Sequence, residues 1–316
     1  MKKGLLVALV LVVAGAALFV IVMMKNKWDF TKLRTNAFET NVYEISQDFT
    51  GISMDSTTAD ISFELSGDGK CKVECYEDTK EKHSVAVENG TLVIQVNRDK
   101  AWYDYIGINF DTPKIKVSLP KEEYRSLFLC EDTGDIEIPG NFQFQSVEIA
   151  LHTGDVAFSA DVSGDGIIKT TTGDIFVENV SARNLELTAS TGHIQASNVT
   201  CSGDVTTKVS TGKVALMHMT CENLTSSGST GDLLMNDVVA RQIVSVKRST
   251  GDVKFDRCDG QKIYIQTDTG DVEGSLLTEK IFAASSDTGD VEVPKTTTGG
   301  YCEVTTDTGD IEITIH

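Results

Sequence analysis

The strongest constraint on the fold is a Thr-Gly pair that recurs at nearly constant spacing from residue 133 to the C-terminal end. Its glycines are Gly134, Gly154, Gly173, Gly192, Gly212, Gly231, Gly251, Gly270, Gly289 and Gly309. Successive gaps are 19 or 20 residues. A unit of this length without a helical run cannot fold alone, so it must stack against its neighbours. The repeat therefore predicts a parallel β-solenoid of about ten coils.

Apolar residues alternate on both sides of each Thr-Gly turn, as in a half-buried strand. After the turn the apolar pairs are Ile136 and Ile138, Val156 and Phe158, Ile175 and Val177, Val253 and Phe255, Val291 and Val293, and Ile311 and Ile313. Before the turn the inward positions read Val147-Ile149-Leu151, Leu185-Leu187-Ala189 and Ile263-Ile265-Thr267. Each coil is thus predicted to have two strands with their apolar faces inside.

Glycine suits the turn because it takes positive φ without a Cβ penalty. Asp follows eight of the ten glycines, and the exceptions are His193 and Lys213. In the last three coils the turns would stack six carboxylates on one face, from Asp268, Asp271, Asp287, Asp290, Asp307 and Asp310. Such a column is expected to be solvated and hydrogen-bonded to its own turns, and bound Ca²⁺ is the alternative.

Residues 41 to 130 lack the repeat but contain alternating runs, such as Asp60–Leu65, Cys71–Cys75 and Thr91–Val96. We expect this segment to be a β-rich cap over the open edge of the first coil, because uncapped solenoid ends aggregate. The repeat solenoid then spans residues 131 to 316. The last coil ends at His316 without a visible cap, which predicts an exposed edge and a homotypic contact there.

Residues 4 to 24 form an uncharged apolar run long enough to span a bilayer. The run exceeds the apolar core of a signal peptide, so we expect an uncleaved anchor. Residues 1 to 27 are then the cytoplasmic tip and transmembrane helix, and residues 28 to 40 a polar stalk. Lysines flank the span on both sides, so charge does not orient it. Analogy with N-terminal single-span anchors places the C-terminal domain outside the cytoplasm, and the alternative leaves it inside.

The formal net charge is −19, and residues 1 to 27 carry four lysines and no acid, so the remainder carries −23. Such an acidic domain repels polyanions and excludes nucleic acid as a partner.

The sequence predicts no catalytic, cofactor-binding or metal-ligating residues. Register places Cys201, Cys221, Cys258 and Cys302 at inward or small-residue positions of the repeat, as core residues. Stacked Cys201 and Cys221 are close enough for a disulfide, and register leaves that open. Four triplets match the core of the aspartic-protease motif, at Asp132, Asp268, Asp287 and Asp307. They are variants of one repeated turn, whereas a protease needs two such loops facing each other.

The strands ADISFELSGDGKCKVECYED, ENGTLVIQVNR and PKIKVSLP, followed by the ladder of S/D-T-G-D-V/I turns, resemble the bacterial putative-adhesin family of LiaG-like (DUF-type) β-solenoid domains. The resemblance covers nearly everything after residue 40. It implies a cell-envelope location and a non-catalytic surface role, with no catalytic residues to transfer. His193 and Lys213 depart from the usual turn.

The predicted function is a non-catalytic cell-envelope module, an adhesin or structural rod. Its partners would be the lipid bilayer through the N-terminal helix, a cell-wall polymer or another envelope protein, and a second copy at the C-terminal edge. One alternative is a membrane-linked regulator of envelope stress. Another is a polysaccharide-acting β-helix enzyme, for which the repeat offers no long loops.

Overall fold

The computed structural model describes residues 2–29, 37–97 and 111–316. Most of the predicted stalk, residues 30–36, lies outside the described residues. One helix, α1 (Lys2–Lys25), contains a segment long and apolar enough to cross a membrane. All other regular elements in this described part of the chain are strands, as the repeat predicted.

The strands before the repeat are β1 (Phe38–Ile45), β2 (Gly51–Thr58), β3 (Asp60–Leu65), β4 (Cys71–Asp78), β5 (His83–Glu88), β6 (Thr91–Val96) and β7 (Lys114–Leu119). The first repeat strands are β8 (Glu123–Thr133), β9 (Ile136–Ile138), β10 (Gln143–Thr153), β11 (Val156–Phe158), β12 (Asp161–Thr172), β13 (Ile175–Thr191), β14 (Ile194–Cys201) and β15 (Val205–Thr211). The remaining strands are β16 (Val214–Thr230), β17 (Leu233–Thr250), β18 (Val253–Cys258), β19 (Lys262–Thr269), β20 (Val272–Leu276), β21 (Lys280–Thr288), β22 (Val291–Glu292), β23 (Gly300–Thr308) and β24 (Ile311–Ile315).

The repeat strands pair in parallel, coil upon coil, and the Thr-Gly turns stack in register. Each repeat glycine has φ between 124° and 150°, a region that favours glycine. A Cβ there would also strike the carbonyl of the neighbouring turn; at Gly251 it would lie 2.3 Å from the oxygen of Gly231. The predicted positive φ is therefore confirmed, and close stacking is a second reason for glycine.

A second corner lies six residues after the turn glycine in five consecutive coils. Its residues, all with φ between 48° and 58°, are Asn179, Asn198, His218, Asp237 and Arg257. Asn and Asp tolerate this conformation because their short side chains bond locally. The sequence analysis missed this corner, because its residue type varies from coil to coil.

The solenoid encloses one apolar core that runs from Phe49 to Ile313. The predicted inward positions before the turn are buried, among them Leu151, Leu187 and Ile265. The apolar pairs after the turn are also buried, with one exception. Val291 is 41% exposed and Val293 is only partly buried, because their coil lies at the end of the rod.

At the N-terminal end the order of coils differs from the order of the chain. Strands β2 and β3 form a coil between β8–β9 on one side and β6–β7 on the other. Ala59 takes the place of the turn glycine in this coil, since its carbonyl faces Gly134. Three antiparallel pairs complete this end: β5 pairs with β6, β4 pairs with β7, and β1 pairs with β4.

The C-terminal end is also out of sequence order. Strand β19 pairs with β23, and β23 pairs on its other side with β21. The last coil of the chain is therefore inserted between the Gly270 and Gly289 coils, and the Gly289 coil is outermost. The prediction that the final coil ending at His316 forms the exposed edge is wrong, because β24 lies between β20 and β22.

Candidate functional surface and a buried polar cluster

The acidic residues after the turn glycines form a hydrogen-bonded ladder along one corner of the rod. Except in the outermost coil, the carboxylate accepts the backbone N–H at the same position of the next coil. For example, the N–H of Asp174 donates to the carboxylate of Asp155 at 2.7 Å. The ladder follows the spatial order, because Asp310 donates to Asp271 and Asp290 donates to Asp310. The carboxylates thus bond to the neighbouring turn, where the sequence analysis expected bonds within the same turn.

His193 and Lys213 place basic side chains in the middle of the ladder. The Nδ1 atom of His193 lies 3.1 Å from Asp174, and the Nζ atom of Lys213 lies 2.9 Å from Asp232. The hydrogen bond with Lys213 lowers the pKa of Asp232. Because His193 and Lys213 stand where other coils have Asp, they reduce the repulsion between carboxylates of neighbouring coils.

The outermost coil presents an open edge. Among the described residues, β21 pairs only with β23 and β22 only with β24, so one side of each backbone is unpaired. The stretch Ile281–Ser286 carries no charge. Leu277, Ile281 and Val291 are each more than 40% exposed. Natural edge strands are usually protected by charge, proline or a bulge, and this stretch of β21 has neither charge nor proline.

A buried polar cluster lies at the opposite end, where β4 and β5 meet the β2 coil. Glu77 Oε2 lies 2.7 Å from His83 Nδ1, and His83 Nε2 lies 3.0 Å from Ser56 Oγ. Asn41 donates to the other oxygen of Glu77 at 2.7 Å. Cys75 Sγ is within 4.8 Å of both the Glu77 and His83 ligand atoms. Apart from the partly buried Asn41, these residues are at most 5% exposed.

The order Glu, His and Ser matches the hydrogen bonding of a catalytic triad. However, Ser56 is only 1% exposed, so its hydroxyl is not presented to solvent. Ser56 instead bonds to the carboxyl of Glu131 from β8, and so links the cap to the repeat coils. We therefore interpret the chain of bonds as part of the interior.

Glu131 is an unusual core residue. One carboxyl oxygen accepts the Ala59 N–H at 3.1 Å, and the other has no hydrogen-bond partner among the described residues. Burial raises the pKa of Glu131 to about 8. In its column of the stacked coils, Leu151, Ala189 and Val209 are apolar, whereas Thr170 and the buried Arg248 are polar.

None of the seven cysteines forms a disulfide within the described residues. Cys201 and Cys221 are fully buried, as their register predicted, and no disulfide joins them. Burial raises the pKa of Cys75 to about 12. Cys75 and Cys71 both face inward from β4, but only Cys75 belongs to the polar cluster.

A family model described as Toastrack DUF4097 matches residues 49–209 and 202–316. The chain belongs to the Toastrack DUF4097 family. This confirms the resemblance drawn from the turn ladder and the strands before it.

Two solved structures similar to this Toastrack chain are described as putative adhesins. The one from Parabacteroides distasonis ATCC 8503 shares 14% identity over 88% of this chain and 98% of its own, with a TM-score of 0.45. The one from Bacteroides fragilis NCTC 9343 shares 14% identity over 89% and 97%, with a TM-score of 0.39. A putative lipid binding protein from Parabacteroides distasonis ATCC 8503 shares 15% identity over 90% and 98%, with a TM-score of 0.30. No curated protein matches the sequence.

Proposed function

We propose that this Toastrack protein is a non-catalytic surface module, anchored by α1 and projecting its solenoid outside the cytoplasm, that associates with a second copy through its C-terminal edge. The observation that carries the proposal is the open edge of β21 and β22 with its uncharged stretch Ile281–Ser286. An unpaired strand adds another strand readily, because its free N–H and C=O groups supply the bonds.

The charge distribution favours end-to-end contact over contact along the sides. The ladder of carboxylates lines one corner of the rod, and the chain after residue 27 carries a net −23. Two such rods side by side would repel along their length. Charges on rods that meet at their ends lie mostly beyond a Debye length of about 8 Å, and they are screened.

The position of the edge also suits a surface role. The chain enters the cap through β1, and the cap lies at the far end of the coil stack from β21. A rod tethered through its cap would hold β21 away from the membrane. Two such rods on facing membranes could then meet through like edges, which is how a homophilic adhesin would act.

The test uses the full chain in lipid vesicles, with the solenoid facing outward. We expect these vesicles to cluster, as measured by light scattering. Ile281→Lys places a charge on the edge strand and should abolish clustering. Leu234→Lys is the matched control, because Leu234 is 47% exposed against 46% for Ile281 but lies in mid-rod, where it should leave clustering intact.

The contrary outcomes are distinct. Vesicles that stay dispersed would overturn self-association. Vesicles that stay dispersed but bind purified peptidoglycan would assign the rod to a wall polymer, and release of soluble sugar would overturn the non-catalytic proposal.

A further inference from the structure

The buried polar cluster contains three side chains whose chemistry suits zinc. Cys75 and Glu77 are two residues apart on β4 and face the same side, and His83 begins β5. Thiolate, carboxylate and imidazole are the ligands that Zn²⁺ takes in proteins. We propose that Cys75, Glu77 and His83 bind a divalent zinc ion that joins strands β4 and β5 of the N-terminal cap.

The distances are compatible with this ion. The sulfur, a carboxylate oxygen and a ring nitrogen lie within 4.8 Å of one another. Zinc bonds of about 2.0–2.3 Å in a tetrahedron separate ligand atoms by about 3.4 Å. Glu77 Oε2 and His83 Nδ1 are 2.7 Å apart, so they would need to move apart by well under 1 Å.

The groups behind the ligands are already arranged as in metal sites. A zinc-binding histidine usually directs its other ring nitrogen to a polar partner, and here His83 Nε2 faces Ser56 Oγ at 3.0 Å. Ligating carboxylates are likewise held by hydrogen bonds, and Asn41 donates to Glu77 Oε1. The three ligands leave one tetrahedral position for water.

The surroundings of Cys75 agree with the geometry. Its side chain is fully buried beside the Glu77 carboxylate, and its sulfur has no hydrogen-bond partner among the described residues. A zinc ion bound there would give the sulfur a partner and place a positive charge beside the buried carboxylate.

The site has a structural meaning within the cap. Strands β4 and β5 are antiparallel additions to β7 and β6, whereas Ser56 lies on β2 inside the coil stack. An ion held by β4 and β5, and backed by Ser56, would join two cap strands at the point where they cover the core. A metal that binds the folded state and not the unfolded chain adds its binding free energy to the stability of the fold.

The experiment measures zinc in the full chain, purified in detergent and equilibrated at micromolar zinc. We expect about one zinc per chain by mass spectrometry of the metal, and a higher melting temperature than after chelation. Cobalt substitution should produce a thiolate charge-transfer band. Cys75→Ser and His83→Gln should each weaken zinc binding by at least tenfold, and Ser56→Ala by a smaller factor.

Cys71→Ser is the matched control, because Cys71 lies four residues earlier on the same strand, is also buried, and is outside the cluster. It should retain zinc and the cobalt band. Absence of stoichiometric zinc from the wild-type chain, with no change in melting temperature on adding it, would overturn the proposal and leave a hydrogen-bonded cluster only. Retention of the thiolate band in folded Cys75→Ser would also overturn it. The wild-type measurements decide the matter even where a ligand variant fails to fold.

Discussion

At the residue scale, the turn glycines carry two constraints at once. Each has a φ that other residues rarely adopt, and each stacks its Cα against the carbonyl of the turn below. The first constraint is local, and the second exists only because the coils stack. Both constraints act where a Cβ would be attached, so we expect even alanine to be destabilising at these positions.

We expect Gly251→Ala to lower the free energy of unfolding by at least about 2 kcal/mol, because its Cβ would combine strained φ with a backbone clash. Urea unfolding measures the effect. Gly67→Ala is the control, since a Cβ there meets nothing within 4 Å and its φ is ordinary. Equal stability of the two variants would show that the turns do not stack as closely as described.

The buried carboxyl of Glu131 predicts a pH dependence. Its pKa is about 8 in the folded chain and near 4.5 when unfolded, so the folded state binds more protons between these values. Stability should therefore fall as pH rises from about 4.5 to about 8, with a slope approaching about 1.4 kcal/mol per pH unit from this group.

Glu131→Gln removes the titrating proton, so the slope should flatten and the variant should be more stable than wild type at pH 8. Urea midpoints between pH 5 and pH 8 test this. Glu137→Gln, on the exposed face of β9, is the control and should leave the slope in place. An unchanged slope in Glu131→Gln would show that the carboxyl is ionised in the folded chain.

At the scale of elements, the strands are joined by more than their backbone ladder. Asp155 accepts the N–H of Asp174, which follows the turn glycine of the next coil, and the same bond recurs along the corner. The side chain thus satisfies a backbone donor at a point where the chain bends and the ladder is interrupted.

We expect Asp155→Ala to destabilise the fold by about 0.5–1.5 kcal/mol, because that donor loses its partner. Asp155→Asn keeps an acceptor oxygen and removes a charge from the acidic corner, so it should match or exceed wild type. Thermal unfolding compares the three. Equal losses in both variants would assign the effect to charge rather than to the hydrogen bond.

At the scale of the whole molecule, the order of coils at the C-terminal end is the least expected feature. The last coil lies between the two that precede it, so Thr308 is the neighbour of both Thr269 and Thr288. Neighbouring parallel strands are about 4.8 Å apart, whereas strands two steps apart exceed the Cα separation that a disulfide allows.

Mild oxidation of the native chain should therefore cross-link the double variant Thr269→Cys/Thr308→Cys and leave Thr269→Cys/Thr288→Cys unlinked. Non-reducing electrophoresis after peptide digestion distinguishes them. The native cysteines other than Cys130 are buried, so they should react slowly. The opposite pattern of cross-links would show that the coils stack in the order of the sequence.

The sequence by itself determined the repeat architecture. A period of 19 or 20 residues, glycine at each turn and alternation of apolar residues are local properties, and they predict the coil, its inward faces and the burial of Cys201 and Cys221. The apolar run of α1 could also be read directly. These features need no knowledge of which coil lies beside which.

Only the tertiary structure decided the order of the end coils and the residues gathered there. Val291 has the pattern of a buried residue, yet it is exposed. The last coil of the chain lies between the Val291 coil and the Gly270 coil, which leaves the Val291 coil outermost. Ser56, Cys75, His83 and Glu131 come from four strands and meet only because the β2 coil lies between β6 and β8. Identical turns stack equally well in more than one order, so local pattern cannot select among them; the packing of the ends does.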